Sequence, residues 1–156
     1  MNLNIPGMLS NDIYIAIGDS LGWGNSDSLN DTKKAFYISV YTINSIDGEG
    51  VLGAFYNDPY LMQNAFWAFS YLGMTDIADF MKQIDLVYQG SKEEIDRYCE
   101  MKWVENPSDE QKSFEKDLRS KKLFYKIEEA FYAHNKLNDP YIVLDQYATI
   151  HKDQLI

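Results

Sequence analysis

Only one cysteine, Cys99, occurs among the 156 residues, so no intrachain disulfide can brace the chain. That composition suits a reducing compartment, and the cytoplasm is the expected location. Histidine is nearly as scarce. His134 and His151 stand alone, with no clustered cysteine and no His-Glu-x-x-His spacing, so no metal site is expected. No run of about 18 apolar residues could cross a bilayer, and Met1 to Met8 lacks the basic and apolar regions of a signal peptide. Gly22-Trp23-Gly24-Asn25 lacks the third glycine and the following lysine of a phosphate-cradling loop, and no cofactor is expected. Bases are also short, at 14 against 24 acids. The net charge of −10 disfavours nucleic-acid phosphate and anionic membrane as direct partners and favours a basic protein.

What is present is apolar and aromatic. Hydrophobic residues make up 46% of the chain, with 12 Tyr, 8 Phe and 3 Trp, far above a disordered composition. A chain of this size can bury roughly 70% of its unfolded surface around one core. No internal repeat or linker interrupts it, so residues 1–156 are expected to form one domain. The predicted fold is all-α, a compact multi-helix domain of about six to eight helices, with only Ile13 to Ile17 readable as a strand.

Asp31 is placed to cap a helix running to about Ile46, after which Gly48 and Gly50 break it. Asp58 before Pro59 predicts a helix start, with Leu61, Ala65, Phe66, Ala68, Phe69 and Leu72 apolar until Gly73. Thr75 would cap the next helix, which ends at Gly90 and forms a hairpin with its predecessor. Ser91 with Glu94, and Ser108 with Gln111, match the capping box. A stripe from Phe114 through Leu118, Phe124 and Phe131 runs to His134, a helix end whose dipole suits a cation. Asp139 before Pro140 opens the last helix.

The charge is uneven. Residues 1–91 hold ten acids and three bases, a net of −7, while residues 92–156 hold fourteen and eleven, a net of −3. No base occurs between Lys34 and Lys82, and the carboxylates of Asp47, Glu49, Asp58, Asp76 and Asp79 have no partner near in sequence. Later, Glu93, Glu94 and Arg97, and Glu115 with Arg119, have spacings that place opposite charges on one helix face.

One catalytic motif stands out. Ile15-Ala16-Ile17-Gly18-Asp19-Ser20-Leu21 resembles the nucleophile block of the Gly-Asp-Ser-Leu esterases, which would make Ser20 an acyl nucleophile. That family takes its base from an Asp-x-x-His near the C-terminus, whereas here Asp145 and His151 are six apart. Its Gly-x-Asn-Asp oxyanion block has only Phe55-Tyr56-Asn57-Asp58 as a counterpart, without the glycine. The alternative is a capped turn ahead of the first long helix. Cys99, between acidic neighbours, is expected to be a packed thiol. The spacing of Asp76 and Asp79 is commonplace on a solvated helix, so the chain is expected not to be an enzyme.

From Ile46 to Gly73 the order is a glycine-containing turn, Phe-Tyr-Asn, an aromatic helix and Leu72-Gly73, followed by an acidic helix. This resembles the bacterial DNA-mimic protein family, the DMP19-like domain. The family's Asn-Gly-Gly-Phe-x-x-x-Phe-x-Asn stretch falls on residues 48–57, where Gly50, Phe55 and Asn57 agree and Glu49 and Val51 depart. Phe124-Tyr125, Phe131-Tyr132, Tyr147 and His151-Lys152-Asp153 look like its closing helices, so the likeness covers about residues 31–156. The resemblance implies an all-α domain, often a homodimer, whose acidic face in some members stands in for DNA and occupies a DNA-binding protein. Duplex DNA carries one charge per roughly 1.7 Å of axis, so an imitator needs many unpaired carboxylates held rigidly. Asp47, Glu49, Asp58, Asp76 and Asp79 are the candidates for a face toward a basic or DNA-binding partner. An immunity-type protein neutralising a toxin, the esterase, and acidity that serves solubility alone are the alternatives.

Overall fold

The computed structural model describes residues 5–156. Among these there are ten α-helices and no strand: α1 (Met8–Ser20), α2 (Asp31–Asn57), α3 (Pro59–Gln63), α4 (Ala65–Tyr71), α5 (Thr75–Gly90), α6 (Lys92–Glu100), α7 (Asp109–Ser120), α8 (Tyr125–Leu137), α9 (Pro140–Ile150) and α10 (Lys152–Leu155). Eight of them have seven residues or more. The all-α expectation holds. The excess over six to eight helices comes from a break at Asn64, which splits one expected helix into α3 and α4, from the four-residue α10, from α1 where a strand was expected, and from the division of the Phe114 to His134 stripe.

Helix α2 is the axis of the fold. Ala35 to Val40 are six consecutive buried residues, which is possible only if neighbours surround the helix on every side. Along its length α2 contacts α1, α3, α4, α6, α9 and α10. At the far end Phe55 stacks between Tyr88 of α5 and Phe124 at the start of α8, with ring centroids 4.8 and 5.9 Å away. Helix α7 packs on α6 through a smaller contact in which Tyr98 and Leu118 are buried.

The expected strand at Ile13 to Ile17 lies instead within α1. Ile13 and Ile17 are buried and Ile15 is 49% exposed, a spacing of four that marks a helix face, whereas a strand would put all three on one side. Asn30, not Asp31, caps α2 by accepting from Lys33 N. Asp58, Ser108 with Gln111, and Asp139 cap as their sequence contexts predict. Thr75 does not cap α5, because the turn at Gly73, with Met74 N donating to Phe69 O, feeds the chain straight into the helix. Ser91 makes no side-chain cap, and Glu94 reaches to Lys121 Nζ at 2.6 Å. The Phe114 to His134 stripe divides into α7 and α8 at Lys122, whose φ is 49°.

Candidate functional site

Gly48 does not break α2; the helix runs on to Gly50 and turns there, with φ 75° and ψ 177°. Only glycine occupies that region readily. The turn is sharp. The Tyr41 hydroxyl donates to Ala54 O, 13 residues on, at 2.8 Å, although in a straight helix these residues would lie about 20 Å apart, far beyond a tyrosine's reach. Residues 51–57 are therefore folded back beside the end of the preceding helical stretch, as far as the reach of Tyr41.

Helix α8 secures the bend. Val51 N, whose helical acceptor is lost at Gly50, donates to Glu128 Oε1 at 2.9 Å, and the Tyr132 hydroxyl donates to Ile46 O at 2.9 Å. Both α8 residues sit on one helix face, four apart. Lys102 then donates to Tyr56 O and Asn57 O, each at 3.2 Å, placing a cation at the C-terminal carbonyls of α2.

This bend carries three of the five predicted carboxylates. Asp47 accepts from the Tyr141 hydroxyl at 3.3 Å; partial burial, with Asp139 nearby, pushes its pKa up against the lowering effect of that bond. Glu49 folds over Gly53, where a Cβ would stand 2.6 Å from its own, and accepts from Asn57 Nδ2 at 2.6 Å. Asp58 accepts from Leu61 N at 3.1 Å, starting α3. The other two lie on α5. Asp76 meets His134 Nε2 of α8 at 2.7 Å, and Asp79 is exposed with no hydrogen bond or ion pair among the described residues. Among the described residues no lysine or arginine pairs with any of the five. Five ion pairs occur among the described residues, for 24 acidic side chains in the chain.

The Gly-Asp-Ser-Leu block has a structural use. It forms the end of α1, where Gly22 N donates to Asp19 O and Trp23 N to Gly18 O, the paired bonds of a Schellman turn. The Trp23 ring lies flat on Gly18, so close that a Cβ there would fall 2.4 Å from it. Its indole N–H donates to Asp19 Oδ1 at 3.1 Å, and Ser20 Oγ donates to Ile17 O at 2.7 Å. Asp145, the proposed acid of the esterase triad, is held at the opposite end of α1. It accepts from Gly7 N at 2.7 Å, Ser10 N at 3.0 Å and the Ser10 hydroxyl, about 15 Å along the helix from Ser20. His151 stacks on Tyr147, with centroids 4.2 Å apart.

Cys99 is buried and donates to Phe55 O at 3.3 Å; burial, with Asp96 near, pushes its thiol up to about 11. Among the described residues no three His, Cys, Asp or Glu side chains gather as a metal ion would require, and no helix is long and apolar enough to cross a membrane. Sequence spacing missed the roles of Glu128, Tyr132 and Asp145, which act on backbone groups distant in the chain and leave no local pattern.

Comparison with curated proteins finds no match, and neither does comparison with solved structures. A family model described as DMP19-like protein matches residues 27–151, a span that holds the Gly50 bend, the α8 residues that secure it, and all five carboxylates; the chain belongs to that family.

Proposed function

We propose that the chain is a non-enzymatic interaction protein whose uncompensated carboxylates engage a basic protein, as a DNA mimic engages a DNA-binding protein. The observation that carries this reading is the pairing pattern: in the base-free interval Asp58 is held by a backbone amide, Glu49 by an asparagine, Asp47 by a tyrosine and Asp76 by a histidine, and Asp79 is exposed without a partner among the described residues. Hydrogen bonds of that kind fix a carboxylate in place and leave its charge, whereas a lysine would cancel it. Within the roughly 8 Å over which charge acts at physiological salt, an uncompensated carboxylate attracts a cationic surface and speeds its approach. Family membership supports the same reading.

The test is capture at low salt from the source cell's lysate, followed by competition with duplex DNA. The expected result is a saturable basic protein that DNA displaces and that salt releases steeply. A variant carrying Asp47→Asn, Glu49→Gln, Asp76→Asn and Asp79→Asn should lose it while keeping its helical spectrum. Failure to recover any basic protein at low salt, or unchanged capture by that variant, removes the reading.

A further inference from the structure

Helices α1 and α9 lie side by side and leave an open groove of about 700 Å³ along their seam. Its walls expose aliphatic side chains that a folded chain normally covers: Ile5 is 63% exposed, Met8 58%, Ile142 46% and Ile150 76%. A contiguous apolar surface of this kind, rimmed by polar groups, marks a contact surface. Asp12 and Asp145 also line the groove, and no lysine or arginine does. Asp12 is exposed and makes no hydrogen bond or ion pair among the described residues.

We infer that this groove receives a basic amphipathic helix of a partner protein, its apolar face on Ile5, Met8, Ile142 and Ile150 and a lysine or arginine at Asp12. The inference rests on the proposed basic partner and gives it a second, apolar point of attachment. The stretch of α9 from Ile142 to Ile150 is about 12 Å long, two helical turns, which matches the spacing of anchors at i, i+3 or i+4, and i+7 on a docking helix. Charge selects the occupant. A second copy would bring another chain of net charge −10 to the groove and set Asp12 against a like charge, and two concave faces cannot fill each other. A convex cationic helix satisfies the shape and the sign together. Helix α1, which forms one wall, lies outside the residues that the family model matches, and α9, which forms the other, lies within them.

The probe is a fluorescein-labelled leucine-lysine amphipathic helix of about 18 residues, with a leucine-glutamate counterpart as control, titrated into the full chain by anisotropy. The lysine peptide should bind saturably and the glutamate peptide should not. Ile142→Glu is the decisive variant, because it adds negative charge while removing an apolar contact: groove docking predicts roughly tenfold weaker binding, and general electrostatic attraction predicts tighter binding. Asp12→Asn should weaken the peptide by a few fold. Both groove positions are exposed, and thermal melts verify that the variants fold. Equal or tighter binding by Ile142→Glu overturns the inference. So does a wild-type dimer in sedimentation that Ile142→Glu dissociates, since the occupant is then a second copy. If the captured basic protein binds Ile142→Glu as it binds wild type but fails with the carboxylate variant, the groove inference falls and the proposed function stands. If neither the peptide nor any basic protein binds, both fall.

Discussion

The interval between Lys34 and Lys82 and the helices from Lys92 onward use their carboxylates in opposite ways. In the later region Asp96 pairs with Lys92, Glu115 with Arg119 and Glu94 with Lys121, three ion pairs made within the region. In the base-free interval Glu49 and Asp58 bond Asn57 and a backbone amide, Asp47 meets a phenol, and Asp76 meets His134. His134 is the one later side chain that meets a carboxylate of the interval as an ion pair, and among the described residues no later lysine or arginine pairs with one. Lys102 does reach the interval, and it goes to main-chain carbonyls. The ion pairs of the nearly balanced region thus stay within it, and the bonded carboxylates of the base-free interval keep neutral partners or a histidine.

The comparison breaks most severely at Gly50, because the bend positions Asp47 and Glu49. Gly50→Ala forces a side chain into a conformation that costs about 1–3 kcal/mol and brings its Cβ to 3.2 Å from Glu128 Oε1. Urea unfolding should show a loss of about 2–3 kcal/mol. Glu128→Ala follows, since it strips Val51 N of its acceptor; the expected loss is about 1–2 kcal/mol, with much of it recovered in Glu128→Gln, which keeps a carbonyl oxygen. Were Glu128→Ala neutral, α8 would not be what secures the bend.

How much of this was legible follows from where each partner lies in the chain. Caps at Asp58, Ser108 and Asp139 were legible because donor and acceptor are two or three residues apart. Glu115 with Arg119 was legible for the same reason. Glu93 and Glu94 with Arg97 were not: Glu94 turns to Lys121, and Arg97 lies over the Phe114 ring at 4.1 Å, since the docking of α7 on α6 outweighs a contact worth a few tenths of a kcal/mol. The glycines at 48 and 50 announced a break, and only the fold shows that a single one of them bends the chain. In Gly18-Asp19-Ser20-Leu21 four letters suggested a nucleophile, yet Gly18 and Asp19 fit Trp23, a neighbour five residues on that the esterase pattern does not include. The five carboxylates were legible as unpaired by lysine or arginine, but their neutral partners were not.

Smaller effects sharpen the contrast. Glu94→Gln removes a surface pair whose groups are both about half exposed, and should cost at most about 1 kcal/mol, vanishing at high salt. Loss of the same size at 1 M salt would mean that the contact is not mainly ionic.

The smallest effect has the most telling sign. Burial holds Asp47 above the ordinary value of 3.8, so the folded state keeps that proton to higher pH than the unfolded chain does, and stability falls as pH rises through the window above 3.8. Asp96 is opposite: burial would raise it, but bonds from Lys92 and Tyr88 hold it below 3.8, so its stabilisation is complete above 3.8 and is lost as pH falls through the lower folded value. Asp47→Asn should therefore raise the urea midpoint slightly at pH 7 and make no difference below 3.8, while Asp96→Asn should lower it at pH 7 and lose its effect in strong acid. Solvent screening limits both to a few tenths of a kcal/mol, so the sign is the measurement that matters. Effects of the same sign would mean that the two regions hold their carboxylates alike, and the base-free interval would then lose its physical distinction from the paired helices.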